Sequence, residues 1–213
     1  MKRHPIEILI AQGEHQQLDF KFEVSDSKKI ARTLSAFANT DGGRLLIGVK
    51  DNGVIAGVRS EEEYYMIEAA STMYTKPPIL FEATHWNIHG KTVLEVYIAP
   101  SSDKPHSAPD KEDNYKAYIR VGDENMLANE VLMFSWKKKH KPDGTLLKLT
   151  KPVELLFTWL ETHSHININQ FCRIAHINYY AARNILSDLM AVNALQYTVV
   201  DKRIVYQKRE TKE

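Results

Sequence analysis

The segment from Asn39 to Gly43 has the residue types that a phosphate-binding loop needs. Asn39 and Thr40 are polar, and Gly42 and Gly43 follow them where an apolar helical pattern gives way to a strand pattern. Two glycines permit positive φ angles and let a backbone approach a ligand closely. The same residues would also serve as a helix C-cap and a tight turn. The loop lacks the Lys-Ser or Lys-Thr pair of a P-loop, so the sequence favours the cap.

The histidines and the cysteine do not have the spacing of metal ligands. The single cysteine, Cys172, excludes an intrachain disulfide and a zinc site built on several thiolates. It lies in an apolar helical run, so we expect a small core residue. No HExxH pattern occurs, and surface or capping positions are expected for six of the nine histidines. These are His85, His89, His106, His163, His165 and His176.

Charge is distributed unevenly along a chain whose net charge is only +1. Residues 1–136 hold 15 Lys and Arg against 20 Asp and Glu, whereas residues 137–213 hold 13 against 7. A basic C-terminal part indicates contact with a polyanion. No apolar run approaches the roughly 20 residues of a membrane helix, and the N-terminus lacks a secretory apolar core. We therefore expect a cytoplasmic protein without membrane contact.

The N-terminal part predicts an α+β fold with a mostly antiparallel sheet. Alternating residues predict a half-buried strand over 17–23, and an apolar stripe predicts a helix over 27–40. Asn52-Gly53 between two apolar runs predicts a hairpin, because both turn positions need positive φ. A second helix and three more strands are predicted over 60–74, 79–86, 91–99 and 115–122.

The charged segment 137–144 contains Pro and Gly and has no apolar periodicity, so it predicts a linker. It divides the chain into a domain over 1–136, a linker over 137–147 and a small domain over 148–213. Three amphipathic helices and a terminal hairpin are predicted after it. That order is the winged form of the helix-turn-helix.

The stretch from Glu14 to Val58 resembles the Schlafen AlbA-type domain, once called a divergent AAA-type domain. The matching pieces are GEHQQLDFK (13–21), LSAFANTDGGRLLIGVKDNGVIAGV (34–58), KPHSAP and AYIRVGDEN, and the resemblance covers about residues 8–130. Asp19 stands where the family usually has Glu before Phe-Lys, which keeps the charge and shortens the reach. The resemblance implies a nucleic-acid-associated domain with a mixed or antiparallel sheet and helices. The loop at 39–43 gives no support to the ATP binding implied by the older name.

The same resemblance implies one set of catalytic candidates. In some animal Schlafen proteins, three acids at matching motif positions form a metal-dependent RNA-cleaving centre. The resemblance places them at Glu14, Asp19 and Asp51, where they would hold Mg²⁺ or Mn²⁺ to activate water, with Lys21 as a nearby cation. The alternative is that Asp19 and Lys21 form a solvated strand face while Asp51 opens a turn.

Arg120, on the last predicted strand of the first domain, has two interpretations. Arginine commonly contacts phosphate in nucleic-acid complexes. It would equally pair with an acid of its own sheet. The sequence leaves both open.

The C-terminal part, about 150–208, resembles the winged helix-turn-helix of bacterial transcription factors. A recognition helix over about 178–191 would place its N-terminal residues in the major groove, and a wing tip would meet phosphate. Arg and Asn can make bidentate contacts to G and A. The implied contacts are Asn178, Tyr179, Tyr180, Arg183, Asn184, Lys202 and Arg203. Dimerisation or protein docking, for which Tyr179 and Tyr180 would also be suitable, is the alternative.

These patterns favour a non-enzymatic transcriptional regulator that binds duplex DNA as a homodimer. The winged helix would read DNA, and the AlbA-type domain would supply dimerisation, ligand sensing or extra nucleic-acid contact. Two alternatives stay open. One is an Mg²⁺- or Mn²⁺-dependent nuclease acting on RNA, and the other is a non-catalytic interaction module.

Overall fold

The structure is a computed structural model that describes residues 3–140 and 147–209 of the 213-residue chain. The chain divides into two compact units, one ending at Ala128 and the other beginning at Asn129. The first unit contains α1 (Pro5–Ile10), β1 (Leu18–Lys21), α2 (Ser27–Asn39), β2 (Gly43–Ile47), α3 (Glu62–Thr72), β3 (Glu82–Ile88), β4 (Lys91–Ile98), β5 (Ser107–Pro109), β6 (Tyr115–Val121) and β7 (Glu124–Leu127). The second contains α4 (Glu130–Lys139), α5 (Lys151–Thr162), α6 (Ile168–Ala175), α7 (Tyr179–Ala191), β8 (Leu195–Val200) and β9 (Arg203–Lys208).

The boundary between the units lies earlier than the sequence predicted. Residue 136, the predicted end of the first domain, lies inside α4, and residues 137–139 of the predicted linker form the last turn of that helix. The Asn129 side chain caps the start of α4 by accepting from Leu132 N at 3.1 Å. Three lysines suit the negative end of a helix dipole, which explains why a charged segment stays helical. Residues 141–146 of the predicted linker lie outside the described residues.

The larger sheet of the first unit has the order β1-β2-β4-β3 and is mixed. β1 runs parallel to β2, whereas β2, β4 and β3 pair antiparallel. Successive side chains of a strand point to opposite faces, so the sheet buries a different set on each side. Leu45 and Ile47 belong to the core shared with α2, and Leu46 belongs to the core shared with α1.

Helix α2 forms as the apolar stripe predicts, and Asp26 caps its start with a side-chain oxygen 2.8 Å from Lys28 N. Leu34 and Phe37 of this helix are completely buried. The second sheet of this unit, in the order β5-β6-β7, is antiparallel. Helix α2 contacts both sheets, β6 and β5 most extensively.

The hairpin predicted at Asn52-Gly53 is a turn without a strand on its far side. Gly53 has φ of 80°, and Lys50 N donates to Val54 O at 3.0 Å. Beyond the turn, Val49 and Ile55 form one isolated bridge. β2 pairs antiparallel with β4 instead, because β4 is long enough to pair with all of β2 and has apolar side chains on both faces.

Over residues 129–140 and 147–209, the second unit consists of four helices and a hairpin. β8 and β9 pair antiparallel through a turn in which Asp201 and Lys202 have φ of 49° and 57°. Tyr206 of β9 is completely buried, and its hydroxyl accepts from Asn129 Nδ2 at 2.8 Å. Burial raises the pKa of Tyr206, so its hydroxyl stays protonated. α7 packs mainly against α4 and then against α6.

Within the ranges that the structure describes, no helix is long and apolar enough to span a lipid bilayer.

Candidate functional site

The loop that follows α2 has a structural role. Asn39 Oδ1 accepts from His106 N at 2.8 Å, and Asn39 Nδ2 donates to Tyr118 O at 2.9 Å. Thr40 donates its hydroxyl to Ala36 O, and both side chains are buried. These bonds use the polar groups that a phosphate would need, and they join α2 to β5 and β6.

The two glycines of this loop are required by close packing. A Cβ on Gly42 would lie 2.6 Å from Ile98 O, and Gly42 has φ of 71°. A Cβ on Gly43 would lie 2.6 Å from the Phe37 ring. The alternative of a cap and tight turn therefore describes what Asn39, Thr40 and the two glycines do in this fold.

Asp19 and Arg120 form a buried ion pair between β1 and β6. Arg120 Nη2 lies 3.0 Å from Asp19 Oδ1, and the two residues are 2% and 4% exposed. Lys21 Nζ lies 2.7 Å from Asp19 Oδ2, so the carboxylate has a cation at each oxygen. Arg120 also donates to Asn125 Oδ1 at 3.1 Å and lies over the Phe37 ring. Arg120 thus pairs with an acid, but one that belongs to the neighbouring sheet.

On the predicted solvated face of β1, Asp19 is buried and Lys21 is partly exposed. Leu18 and Phe20 enter the core beside α1, as the alternation predicts. Asp19 points to the opposite face, which the second sheet covers with Arg120. Alternation identifies the two faces of a strand but gives no information on whether another sheet covers the polar one.

Glu14 lies beside Asp19, and its carboxyl accepts from Phe20 N at 2.8 Å. Partial burial raises the pKa of Glu14, and the neighbouring Asp19 carboxylate raises it further. The N–H of Phe20 and the charge of Lys21 oppose this rise. The structure therefore brings Glu14, Asp19 and Lys21 together.

Asp51 does not join them. It is exposed in the turn after Val49. Over residues 3–140 and 147–209, no three His, Cys, Asp or Glu side chains form a group able to hold a metal ion. The two acids that meet are also a poor donor set, because both Asp19 oxygens are engaged by Arg120 and Lys21.

One of the histidines departs from its expected surface or capping position. His106 is 4% exposed, with its ring nitrogens 2.9 Å from Pro77 O and 2.7 Å from Ser101 Oγ. Burial lowers the pKa of His106, which favours a neutral ring. His176 adopts φ of 51° as the C-cap of α6, and His89 is exposed. Cys172 is half-buried on α6.

The first turn of α7 presents several of the nominated contacts. Tyr179 and Tyr180 are 41% and 67% exposed, and Asn184 is exposed one turn later. Asn178 is exposed but acts as the N-cap, accepting from Ala181 N at 2.9 Å. Residues four apart share a helix face, so Tyr180 and Asn184 form one exposed strip.

Arg183, the expected base-reading arginine, is held against α4. Its guanidinium lies 4.0 Å from the Phe134 ring centroid, and Nη1 is 3.1 Å from Glu130 Oε2. Its side chain is 15% exposed, so Arg183 is not free to enter a groove in this conformation. Glu130 and Phe134 were missed because they lie in the segment assigned to the first domain, and no local pattern connects them to α7.

The hairpin tip carries the other nominated cations. Lys202 and Arg203 are exposed at the turn between β8 and β9. Arg209 lies at the opposite end of the hairpin and is also exposed. The tip thus carries two exposed cations beside the exposed Asp201.

The sequence profile of the family described as Schlafen, AlbA_2 matches residues 14–129. The chain belongs to this family. The matched range covers β1 to β7, so the first unit is the AlbA_2 domain, and its α+β architecture agrees with the expectation. Membership of this family indicates a nucleic-acid-related domain. The second unit lies almost wholly outside the matched range.

Two solved structures resemble the chain at 20% identity. The DIP2311 protein from Corynebacterium diphtheriae aligns over 68% of this chain and 29% of its own length, with a TM-score of 0.47. The N-terminal domain of a protein from Nitrosomonas europaea, named as related to the ATP-dependent DNA helicase RecG, aligns over 57% of this chain and 89% of its own length, with a TM-score of 0.34. This chain thus spans less than a third of the first structure. A search of curated proteins found no match.

Proposed function

We propose that the protein is a transcriptional regulator that binds duplex DNA as a homodimer through its second unit. The exposed strip at the start of α7, with Tyr180 and Asn184, carries this proposal. The AlbA_2 domain would supply dimerisation, ligand sensing or a further nucleic-acid contact. Its family relation to nucleic acid supports the general class.

The order of elements in the second unit supports a winged helix-turn-helix. α6 ends at His176 in a left-handed conformation, and α7 begins three residues later. The β8-β9 hairpin follows α7 directly, and Ile166 forms an isolated bridge with Tyr206 of β9. In that motif the second of the paired helices enters the major groove.

The positive charge of the C-terminal segment also supports DNA binding by the second unit. Residues 137–213 carry 13 Lys and Arg against 7 Asp and Glu. A protein that neutralises phosphates releases counterions, so its affinity falls steeply with salt. Lys202 and Arg203 at the hairpin tip would contact the backbone, while Tyr180 and Asn184 face the bases.

The test is a gel-shift titration of the full chain on a randomised duplex pool at several salt concentrations. Binding with a steep salt dependence is expected. Arg203→Ala should weaken it and lower the salt slope by about 1, because one phosphate contact is lost. Arg209→Ala removes the same charge from the other end of the hairpin and serves as the matched control. Equal effects of the two variants, or no binding to duplex, would contradict the proposal.

A metal-dependent nuclease is the second candidate, and the juxtaposition of Glu14, Asp19 and Lys21 favours it. The donor set does not fit a divalent cation as it stands, since Asp51 lies apart and Asp19 is paired with two cations. Cleavage of an RNA pool only with Mg²⁺ or Mn²⁺, and its loss in Glu14→Gln, would support this candidate. A chain that neither binds nor cleaves would be an interaction module.

A further inference from the structure

A cavity of about 430 Å³ lies over the buried ion pair of the AlbA_2 domain. Four elements form it: the end of β1, one side of α2, the β5-β6 turn, and the β6-β7 hairpin. Pockets for small ligands usually enclose roughly 300–1,000 Å³. The cavity is therefore large enough for a mononucleotide or a similar small molecule.

Cations predominate in the lining of this cavity. Five Lys and Arg side chains face three Asp side chains. The cations are Lys21, Lys29, Arg32, Lys111 and Arg120, and the acids are Asp19, Asp110 and Asp123. The balance of two positive charges suits a doubly charged anion such as a phosphate monoester.

The floor of the cavity holds a buried guanidinium whose hydrogen bonding is incomplete. Asp19 is shared by Arg120 and Lys21, and the carboxyl of Glu14 lies beside Asp19 and Lys21. Arg120 is only 2% exposed, and its Nε–H has no hydrogen-bond partner in the described part of the chain. A buried donor without an acceptor costs free energy. An anionic oxygen above the floor would be such an acceptor.

Other side chains that line the cavity supply hydrogen-bond donors for a ligand. Among the described residues, Lys29 and Lys111 form no ion pair, and both are exposed. Arg32 is oriented by its Nε–H, which donates to Pro109 O at 2.7 Å. The Thr33 hydroxyl accepts from Asn125 Nδ2 at 3.0 Å, which leaves its own proton to donate.

The acids of the lining are partly engaged elsewhere. One Asp110 oxygen accepts the N–H groups of Glu112 and Asn114 at 2.9 Å each, so this side chain serves the β5-β6 turn. Asp123 is exposed at the β6-β7 turn. Neither acid forms an ion pair with Lys29, Arg32 or Lys111 within the described residues, although Arg32 interacts electrostatically with Asp110. Lys29 and Lys111 are therefore the cations most open to a ligand.

We infer that this cavity binds a phosphate monoester, with Lys29, Arg32 and Lys111 contacting the anion above the Asp19–Arg120 pair. Two sources would present that group: a free mononucleotide, or the phosphorylated end of an oligonucleotide. The site lies wholly in the AlbA_2 domain and is independent of the DNA surface proposed on the second unit.

Calorimetric titration of the full chain with inorganic phosphate, AMP and adenosine tests the site. Phosphate and AMP should bind and adenosine should not. The double variant Lys29→Gln/Lys111→Gln should weaken binding by about tenfold or more, since charge-assisted hydrogen bonds are lost. Lys50→Gln removes an exposed lysine outside the lining and should leave the dissociation constant within about twofold. No binding of phosphate or AMP, or equal binding by wild type and the double variant, would overturn the inference.

A second titration separates the two sources of phosphate. It uses one short oligonucleotide with either a 5′-phosphate or a 5′-hydroxyl. Tighter binding of the phosphorylated form, abolished in the double variant, would identify a nucleic-acid end as the ligand. Equal binding of both forms, with AMP still bound through the lysines, would identify a free nucleotide. Arg203→Ala should change neither result, which keeps this test separate from that of DNA binding.

Discussion

The Arg183 guanidinium of α7 lies 3.1 Å from the Glu130 carboxylate of α4. The same guanidinium lies over the Phe134 ring, so contacts with α4 hold the arginine that the sequence nominated for base contact. A carboxylate and a DNA phosphate would compete for one guanidinium. The contact therefore places the start of α4 beside the proposed DNA surface of α7, although the sequence of α4 was assigned to the first domain.

Glu130→Gln should tighten binding to duplex DNA by about threefold. Loss of the carboxylate releases Arg183 and removes a negative charge near the phosphates, and exposed pairs of this kind are worth at most about 1 kcal/mol. Gel-shift titrations at fixed salt measure the change. The matched control is Glu154→Gln, which also removes an exposed acid from the first turn of a helix in the same unit. A similar gain in the control would mean that net charge alone is responsible.

Arg183→Ala should destabilise the second unit by about 1–2 kcal/mol, apart from any effect on binding. The variant loses the stacking on Phe134 and the packing of a long side chain that is only 15% exposed. Urea denaturation followed by circular dichroism measures the free energy of unfolding. Arg173→Ala, an exposed arginine on α6, should change that free energy by less than about 0.5 kcal/mol. Equal stability of the two variants would show that the Phe134 contact contributes nothing.

Asp19→Asn should destabilise the AlbA_2 domain by about 3 kcal/mol. The substitution keeps the shape but leaves Arg120 as a buried charge without its counterion. Asp113→Asn breaks the exposed pair with Lys28 and should cost no more than about 1 kcal/mol. Asn tolerates the φ of 62° at position 113, so the control adds no backbone strain. Equal decreases in the free energy of unfolding of the two variants, measured by urea denaturation, would contradict the stated role of the Asp19–Arg120 pair.

Local patterns predicted the elements that depend on neighbouring residues. The range of α2, predicted over 27–40 and observed over Ser27–Asn39, follows from an apolar stripe. The helix–helix–helix–hairpin order of residues 151–208 likewise follows from periodicity and turn residues. In each case the information lies within about ten residues, where side-chain spacing decides the structure.

The candidate sites depend on contacts between distant residues, and local patterns could not supply them. Asp19 and Arg120 are separated by 101 positions, and only the packing of the second sheet on β1 brings them together. Glu130 and Arg183 are 53 positions apart. A charged residue in an alternating strand usually faces water, so the burial of Asp19 and Arg120 could not be predicted without the tertiary arrangement.

Glu14→Gln should stabilise the protein relative to wild type as the pH rises from about 4 to 7. Burial, and then Asp19, raise the pKa of Glu14 above 4.5, so the folded state holds this proton more tightly than the unfolded state does. Stability linked to that proton is fully present below the unfolded pKa and is lost as the pH rises through the folded pKa. Gln keeps an oxygen for the N–H of Phe20 and carries no charge, so the variant escapes that loss. Urea denaturation of both proteins at several pH values gives the difference, which should be smallest near pH 4. A difference that does not change with pH would show that the pKa of Glu14 is the same in the folded and unfolded states.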